Sequence, residues 1–199
     1  MGKTIDYYFT PASPYAYLGH DRFVALAARH GAAVDVCPVD IGKVFAVSGG
    51  VPLAQRPPQR LAYRLVELAR WSRHLGIPIN VPPKFGATPV ALASRWILAV
   101  AEIGSRAALD FAGAVMRARW AEERDIADPA TLAAIAAGLG LDAAALAARA
   151  ETPEIATRFE ATTERAIAAQ VFGSPWYVYA GEPFWGQDRL DFLDRALAE

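Results

Sequence analysis

"TIDYYFTPASPYAYLG", residues 4–19, carries the change of period on which the fold turns. Residues 4–10 are rich in β-branched and aromatic side chains and read as a strand. From residue 14 the pattern becomes helical: Phe23, Leu26 and Ala27 share a face, and Gly31 ends a helix predicted over 14–30. Ser13-Pro14 stands at the junction. Serine is a favoured N-cap and proline suits the first helical position, so capping alone accounts for the pair. The same hydroxyl at a helix N-terminus can also help hold an anion. "AVDVCPV" (33–39) follows as a second strand, with Val34 and Val36 on one side and Asp35 and Cys37 on the other. Pro38 makes it an edge strand or ends it early. Strand, helix and strand in this order predict a parallel pair with a right-handed crossover.

Beyond the loop "VSGGVPLAQRPP" the chain turns helical and alanine-rich for about a hundred residues, a long departure from strand–helix alternation. Leu61, Leu65, Leu68 and Leu75 mark one face of the first helix there, and Tyr63, Glu67, Arg70 and His74 another. After "NVPPKFGATP" further helices are expected near 89–103, 105–121, 129–139, 142–150 and 153–169. Strands return at "WYVYA" (176–180) and "PFW" (183–185), which read as a hairpin, and a closing helix is expected over 187–198. The two ends therefore combine into one α/β domain, residues 1–56 and 166–199, around a helical insertion, residues 57–165.

Composition narrows the function. With 54% hydrophobic residues the chain can bury a real core, and a net charge of −1 supplies no basic field for nucleic acid and no polybasic membrane patch. No apolar run reaches membrane-spanning length and the N-terminus lacks a signal-peptide core, so a cytoplasmic protein is the expectation. A single cysteine, Cys37, excludes an internal disulfide, a Cys-x-x-Cys redox pair and a cysteine-rich zinc site; it reads as a buried small hydrophobe. The three histidines fall in no metal-ligand spacing, and no metal is expected. His20 lies seven residues beyond Ser13, roughly 10 Å along the helix, too far to act as its base. Ser174-Pro175 before the late hairpin is either an ordinary trans proline or a cis peptide marking a specified turn. In "WGQDRLDFL" Asp188 reads as a first-turn acid that offsets the helix dipole, or as a carboxylate for a ligand's ammonium. Arg56, Arg60, Arg64 and Arg70 form a solvated helix entrance, of which Arg56 and Arg60, beside the Gly/Pro loop, can meet an acidic ligand.

Taken in order, "SPYAYLG", "PVDIGKVF", "ELARWSRHLGIPINVPPKF", "VFGSPWYV" and "FWGQDRLDFL" resemble one family along nearly the whole chain. The sequence is similar to the 2-hydroxychromene-2-carboxylate isomerases and the kappa-class glutathione transferases, which share a DsbA-like thioredoxin fold. The resemblance implies an α/β thioredoxin-like domain of DsbA type interrupted by the helical insertion. Where disulfide-exchanging relatives carry Cys-Pro-x-Cys, this chain reads Ser13-Pro14-Tyr15-Ala16, so the thiol comes from outside as glutathione. Ser13 then matches the catalytic serine, which donates to the glutathione sulfur and favours the thiolate over a thiol of ordinary pKa ~8.5. The resemblance further implies a cis Ser174-Pro175 bond, with the Ser174 backbone pairing to glutathione like an added strand. Gly186, Gln187 and Asp188 match the segment that receives the γ-glutamyl end, and Gln55 aligns with a glutathione-binding asparagine. Arg56, which follows, and Phe85, where the isomerases place an aromatic, are the expected substrate contacts. Thr10 and Pro11 depart from the Asp-Phe of the family, and Phe45 stands where naphthalene-pathway isomerases carry a lysine. The implied activity is isomerisation of a small aromatic substrate by thiolate addition, ring opening, bond rotation and thiol elimination, in a homodimer. A kappa-like transferase and a non-catalytic thioredoxin-fold binding or chaperone module are the rivals.

Overall fold

In the computed structural model, which describes residues 2–199, four strands form one mixed sheet in the order β2-β1-β3-β4. Met1, the first residue of the expected thioredoxin-like segment, lies outside the described residues. β1 (Thr4–Phe9) pairs in parallel with β2 (Ala33–Pro38), Thr4 opposite Ala33 and Phe9 opposite Pro38, and helix α1 (Pro14–Arg29) makes the crossover. On its other side β1 meets β3 (Trp176–Tyr179) antiparallel, with Tyr7 opposite Tyr177, and β4 (Glu182–Trp185) closes the hairpin as the second edge. Both prolines of the sheet, Pro38 and Pro183, lie in edge strands, where a missing N–H disrupts least.

The period-two alternation divides the sheet's side chains between two cores. Ile5, Tyr7, Phe9, Val34, Val36 and Tyr177 join the main cluster, while Tyr8, Cys37 and Trp176 join a smaller one with Val39, Val44 and Ala166. Tyr7 stacks on Phe9 at 4.4 Å and on Tyr177 at 5.3 Å, so the β1–β3 contact is largely aromatic. The helices follow as α2 (Ile41–Ser48), α3 (Pro58–Leu75), α4 (Ala91–Ala101), α5 (Ser105–Trp120), α6 (Pro129–Gly138), α7 (Ala143–Ala150), α8 (Pro153–Ala168) and α9 (Leu190–Ala198). Trp96 and Phe111, from α4 and α5, lie in the same cluster as Ile5 and Tyr7, and Ser105 Oγ donates to Val34 O at 2.6 Å. The helical block and the sheet thus share one apolar core.

Three local features differ from the sequence reading. Helix α2 has no counterpart in it, because Gly42 and the β-branched Ile41 and Val44 weaken the helical pattern. Asp40 nevertheless caps it, accepting from Gly42 N at 2.9 Å, and Gly49 ends it at φ 75°. Helix α9 starts at Leu190 rather than 187, so Asp188 sits in a turn before the helix and Asp191 is its first-turn acid. On α3 the inward stripe is Leu61, Arg64, Leu68, Trp71 and Leu75: Leu68 is fully buried and the others are part-buried, whereas Leu65 is 40% exposed.

Candidate active site

Ser13 sits where the strand-to-helix change places it, as the N-cap of α1 in extended conformation, and it is buried. Its Oγ accepts from Ala16 N at 3.1 Å and donates to Ser174 O at 3.0 Å. Pro14 has no N–H, and Tyr17 N donates to Ser13 O at 3.1 Å. That leaves the Tyr15 N–H as the first-turn donor without an acceptor among the described residues. One hydroxyl thus closes the helix and reaches Ser174, while the helix end keeps a donor free.

The segment opposite Ser13 is fixed by a second hydroxyl. Thr10 N donates to Ser174 Oγ at 3.0 Å, and Thr10 O accepts from Ser13 N at 2.9 Å, so the end of β1 clamps both serines. The Ser174–Pro175 bond is cis, as the resemblance implied, and a second cis bond, Val81–Pro82, had no signal that the sequence reading used. The Ser174 N–H donates to nothing among the described residues, and the buried Thr10 Oγ1 beside it also lacks a partner. The sequence marked Thr10 only as a departure from the family's Asp-Phe and gave no signal of its bond to Ser174.

Gly186 N donates to Pro175 O at 3.0 Å, which ties the turn 186–188 to the same carbonyl-rich corner. Gly186 holds φ 100°, a left-handed conformation, and a Cβ there would stand 2.6 Å from Asp188 Oδ1. Gln187 is buried, and its Oε1 and O accept from Arg22 Nη1 at 2.7 and 3.2 Å. Its side chain thus serves to anchor the turn on α1. Close approach is possible because residue 19 is glycine: a Cβ on Gly19 would lie 2.7 Å from Gln187 Cβ. Asp188 is exposed and pairs with Arg189 at 2.6 Å.

The remaining sequence-predicted residues make no hydrogen bond to this set. Gln55 is exposed on a short 3-10 turn, Leu53–Gln55, and Arg56 donates through Nε to Val51 O at 2.9 Å. Phe85 is part-buried, with Lys84 Nζ 5.5 Å from its ring centroid. The loop that follows it is gripped by Arg119, which donates to Gly86 O and Thr88 Oγ1, both at 2.6 Å. His20 is occupied within the core: its Nε2 lies 2.9 Å from Leu109 O and its Nδ1 3.3 Å from the Tyr7 hydroxyl. Cys37 is fully buried, and burial with the neighbouring Asp35 carboxylate pushes its thiol far above the ordinary range. Its burial keeps it out of reach of a substrate. Among the described residues no group of three or more His, Cys, Asp or Glu is arranged to hold a metal ion, and no helix is long and apolar enough to cross a membrane.

Residues 4–198 match the family model of the DSBA-like thioredoxin domain. The chain is 30% identical to a 2-hydroxychromene-2-carboxylate isomerase of Sphingobium xenophagum over 200 residues, covering all of both chains. A solved 2-hydroxychromene-2-carboxylate isomerase superposes with a TM-score of 0.77 at 28% identity, over 98% of this chain and 94% of that one. A shorter similarity, 32% identity over 82 residues, covers 41% of this chain and 36% of the glutathione S-transferase kappa 1 of Caenorhabditis elegans.

Proposed function

Because the chain belongs to the family of DSBA-like thioredoxin domains, we propose that it is a glutathione-dependent isomerase of the 2-hydroxychromene-2-carboxylate type, with Ser13 as the activating residue. One observation carries the reading: the start of α1 places a buried hydroxyl, Ser13 Oγ, against the Ser174 carbonyl and has no cysteine of its own. The full-length relative named as such an isomerase supports the reaction class, and the partial kappa-transferase similarity supports glutathione.

The donor set suits a thiol peptide. Ser13 Oγ–H, the free Tyr15 N–H and the N-terminus of α1 favour a sulfur anion, and no carboxylate caps that end to oppose it. The unpaired Ser174 N–H and Ser174 O offer the two atoms of a strand edge to a peptide. When bound, glutathione supplies a nucleophilic thiol that adds to a conjugated carbon reversibly and is released unchanged. For its part Ser13 turns its proton from Ser174 O to the sulfur, and Ser174 O becomes free to accept from a peptide N–H. Its hydroxyl is a donor throughout and never the nucleophile. The N–H groups of Gln187 and Asp188, in the turn that Gly186 shapes, meet the γ-glutamyl carboxylate and Asp188 meets the ammonium, exchanging Arg189 for the ligand. Gln55 contacts the other end of glutathione, while Arg56 and Phe85 contact the aromatic substrate. The enzyme acts as a cytoplasmic homodimer.

The test is an assay on hydroxychromene carboxylates with added glutathione, in which total glutathione is followed alongside product. Turnover that requires glutathione and leaves its concentration unchanged is expected. Stoichiometric loss of glutathione would instead identify a kappa-like transferase, and no turnover in its presence would refute both.

A further inference from the structure

In a parallel pair alternate residues of a strand turn both N–H and C=O toward the same neighbour. Ala33 N donates to Lys3 O at 2.8 Å and Val39 N to Phe9 O at 2.9 Å, so Ala33, Asp35, Cys37 and Val39 face β1. Val34, Val36 and Pro38 turn their backbone groups to the outer edge of the sheet. Two hydroxyls cover the ends of that edge: Ser105 Oγ donates to Val34 O at 2.6 Å, and Thr162 Oγ1 to Pro38 O at 2.8 Å. Between them Val36 has neither its N–H nor its C=O bonded among the described residues, although the residue is only 3% exposed. Buried peptide groups are normally paired, so this one calls for a partner in the space beside it.

That space is a cleft of about 310 Å³ between β2 and α8, lined by Asp35, Val36, Arg158, Ala161, Thr162 and Arg165. Its two arginines stand two turns apart on α8, and the small Ala161 between them leaves the room open. Arg165 is spent: Nη2 donates to the Asp35 carboxylate at 2.6 Å and Nε to the Tyr8 hydroxyl at 3.0 Å. Arg158 is not. Its Nη1 donates to Leu98 O at 3.2 Å, but among the described residues Nε and Nη2 make no hydrogen bond and no carboxylate lies within 4.0 Å. The acid its charge acts on, Glu102, is already gripped by Nε and Nη2 of Arg149, at 2.9 and 2.8 Å. Nε and Nη2 together are the side-on fork of a guanidinium, two parallel donors that match the two oxygens of a carboxylate.

We infer that this cleft is a second binding site, for a small organic monocarboxylate held by the fork of Arg158 and the N–H of Val36. It lies on the side of β1 away from β3 and Ser174, and it stands whichever reaction Ser13 serves. Charge selects the class. Two arginines against one aspartate leave a single positive charge, which one carboxylate neutralises. Inorganic phosphate near neutral pH would bring a second negative charge against Asp35. The Ala161 methyl gives the lining an apolar side, which suits an organic acid rather than a bare ion.

Amide NMR of the isotope-labelled full chain reads the site at Val36 itself, during titration with benzoate, its neutral isostere benzamide and inorganic phosphate at constant pH and ionic strength. Benzoate should move the Val36 signal saturably and bind about ten- to a hundredfold tighter than benzamide, as a charge-assisted pair implies, with phosphate weaker than benzoate. Arg158→Gln should abolish the preference for benzoate over benzamide, while Arg158→Lys, a charge without the fork, should keep part of it. The remaining amide signals show that each variant is folded. Benzoate that leaves Val36 unmoved, that moves Ser13 and Ser174 instead, or that keeps its advantage in Arg158→Gln would overturn the inference. Phosphate that binds more tightly than benzoate would overturn it as well.

Discussion

Among the described residues Arg22 is the one side chain of α1 that hydrogen-bonds the turn 186–188, and its removal separates positioning from chemistry. Arg22→Ala deletes both bonds to Gln187 and strands Oε1 of an amide that is 2% exposed. A buried acceptor left without its donor costs about 1–3 kcal/mol. For a chain of this size each kcal/mol lowers Tm by about 2–4 °C, so a fall of roughly 2–12 °C is expected. Arg29→Ala on the same helix is the control: the backbone propensity change is the same, but the lost pair with Asp194 is exposed, at 59% and 41%, and worth at most about 1 kcal/mol. Differential scanning calorimetry gives the two melting points, and glutathione titration shows whether the loosened turn also binds more weakly. A Tm loss for Arg22→Ala no larger than that for Arg29→Ala would refute the claim that Gln187 is a structural anchor.

The glycine contact beneath that anchor predicts that Gly19→Val, whose Cβ would stand 2.7 Å from Gln187 Cβ, overpacks the α1–turn interface at a cost of about 1–3 kcal/mol, read by urea unfolding. Asp188→Asn should weaken glutathione about ten- to a hundredfold by calorimetry while barely changing stability, because its exposed pair with Arg189 contributes little. The hydrogen bond from His30, and then that from Arg29, hold the Asp194 carboxyl below its usual value. A depressed carboxyl stabilises the fold above its unfolded pKa and loses that contribution as pH falls, so Asp194→Asn should flatten the stability-against-pH curve below about pH 4, read by urea unfolding at stepped pH.

What the chain disclosed about itself followed from how local each feature is. The β1–Ser13–α1 junction was legible because period, capping chemistry and a proline at the first helical position agree within a dozen residues. Pro38 likewise announced an edge strand. That β3 lies beside β1 with Tyr7 opposite Tyr177 is a pairing across some 170 residues that nothing local encodes; the element pattern joined the two ends in one domain without giving strand order or register. Helix α2 escaped because its capping residues, Asp40 and Gly49, are better signals than its interior. The capture of Gln187 by Arg22 and the inward turn of Arg64 escaped for a related reason. Arginine on a helix is ordinarily solvated, and only the packing of α3 on α1 and of the turn on Gly19 makes these two exceptional.

The central claim is that Ser13 and the start of α1 stabilise the thiolate of bound glutathione, and its most direct measurement is the pKa of that thiol. Ultraviolet thiolate absorbance of the saturated complex, titrated against pH, reads it without any substrate, and the protein's own thiol is silent because Cys37 is fully buried with its pKa pushed high. In the wild-type complex the thiolate should form below the ordinary thiol value of ~8.5, and in Ser13→Ala the titration should move back up by about 1–2 units, the worth of a donor to an anion. A bound thiol that titrates like the free peptide, or identically in the two proteins, would contradict the account.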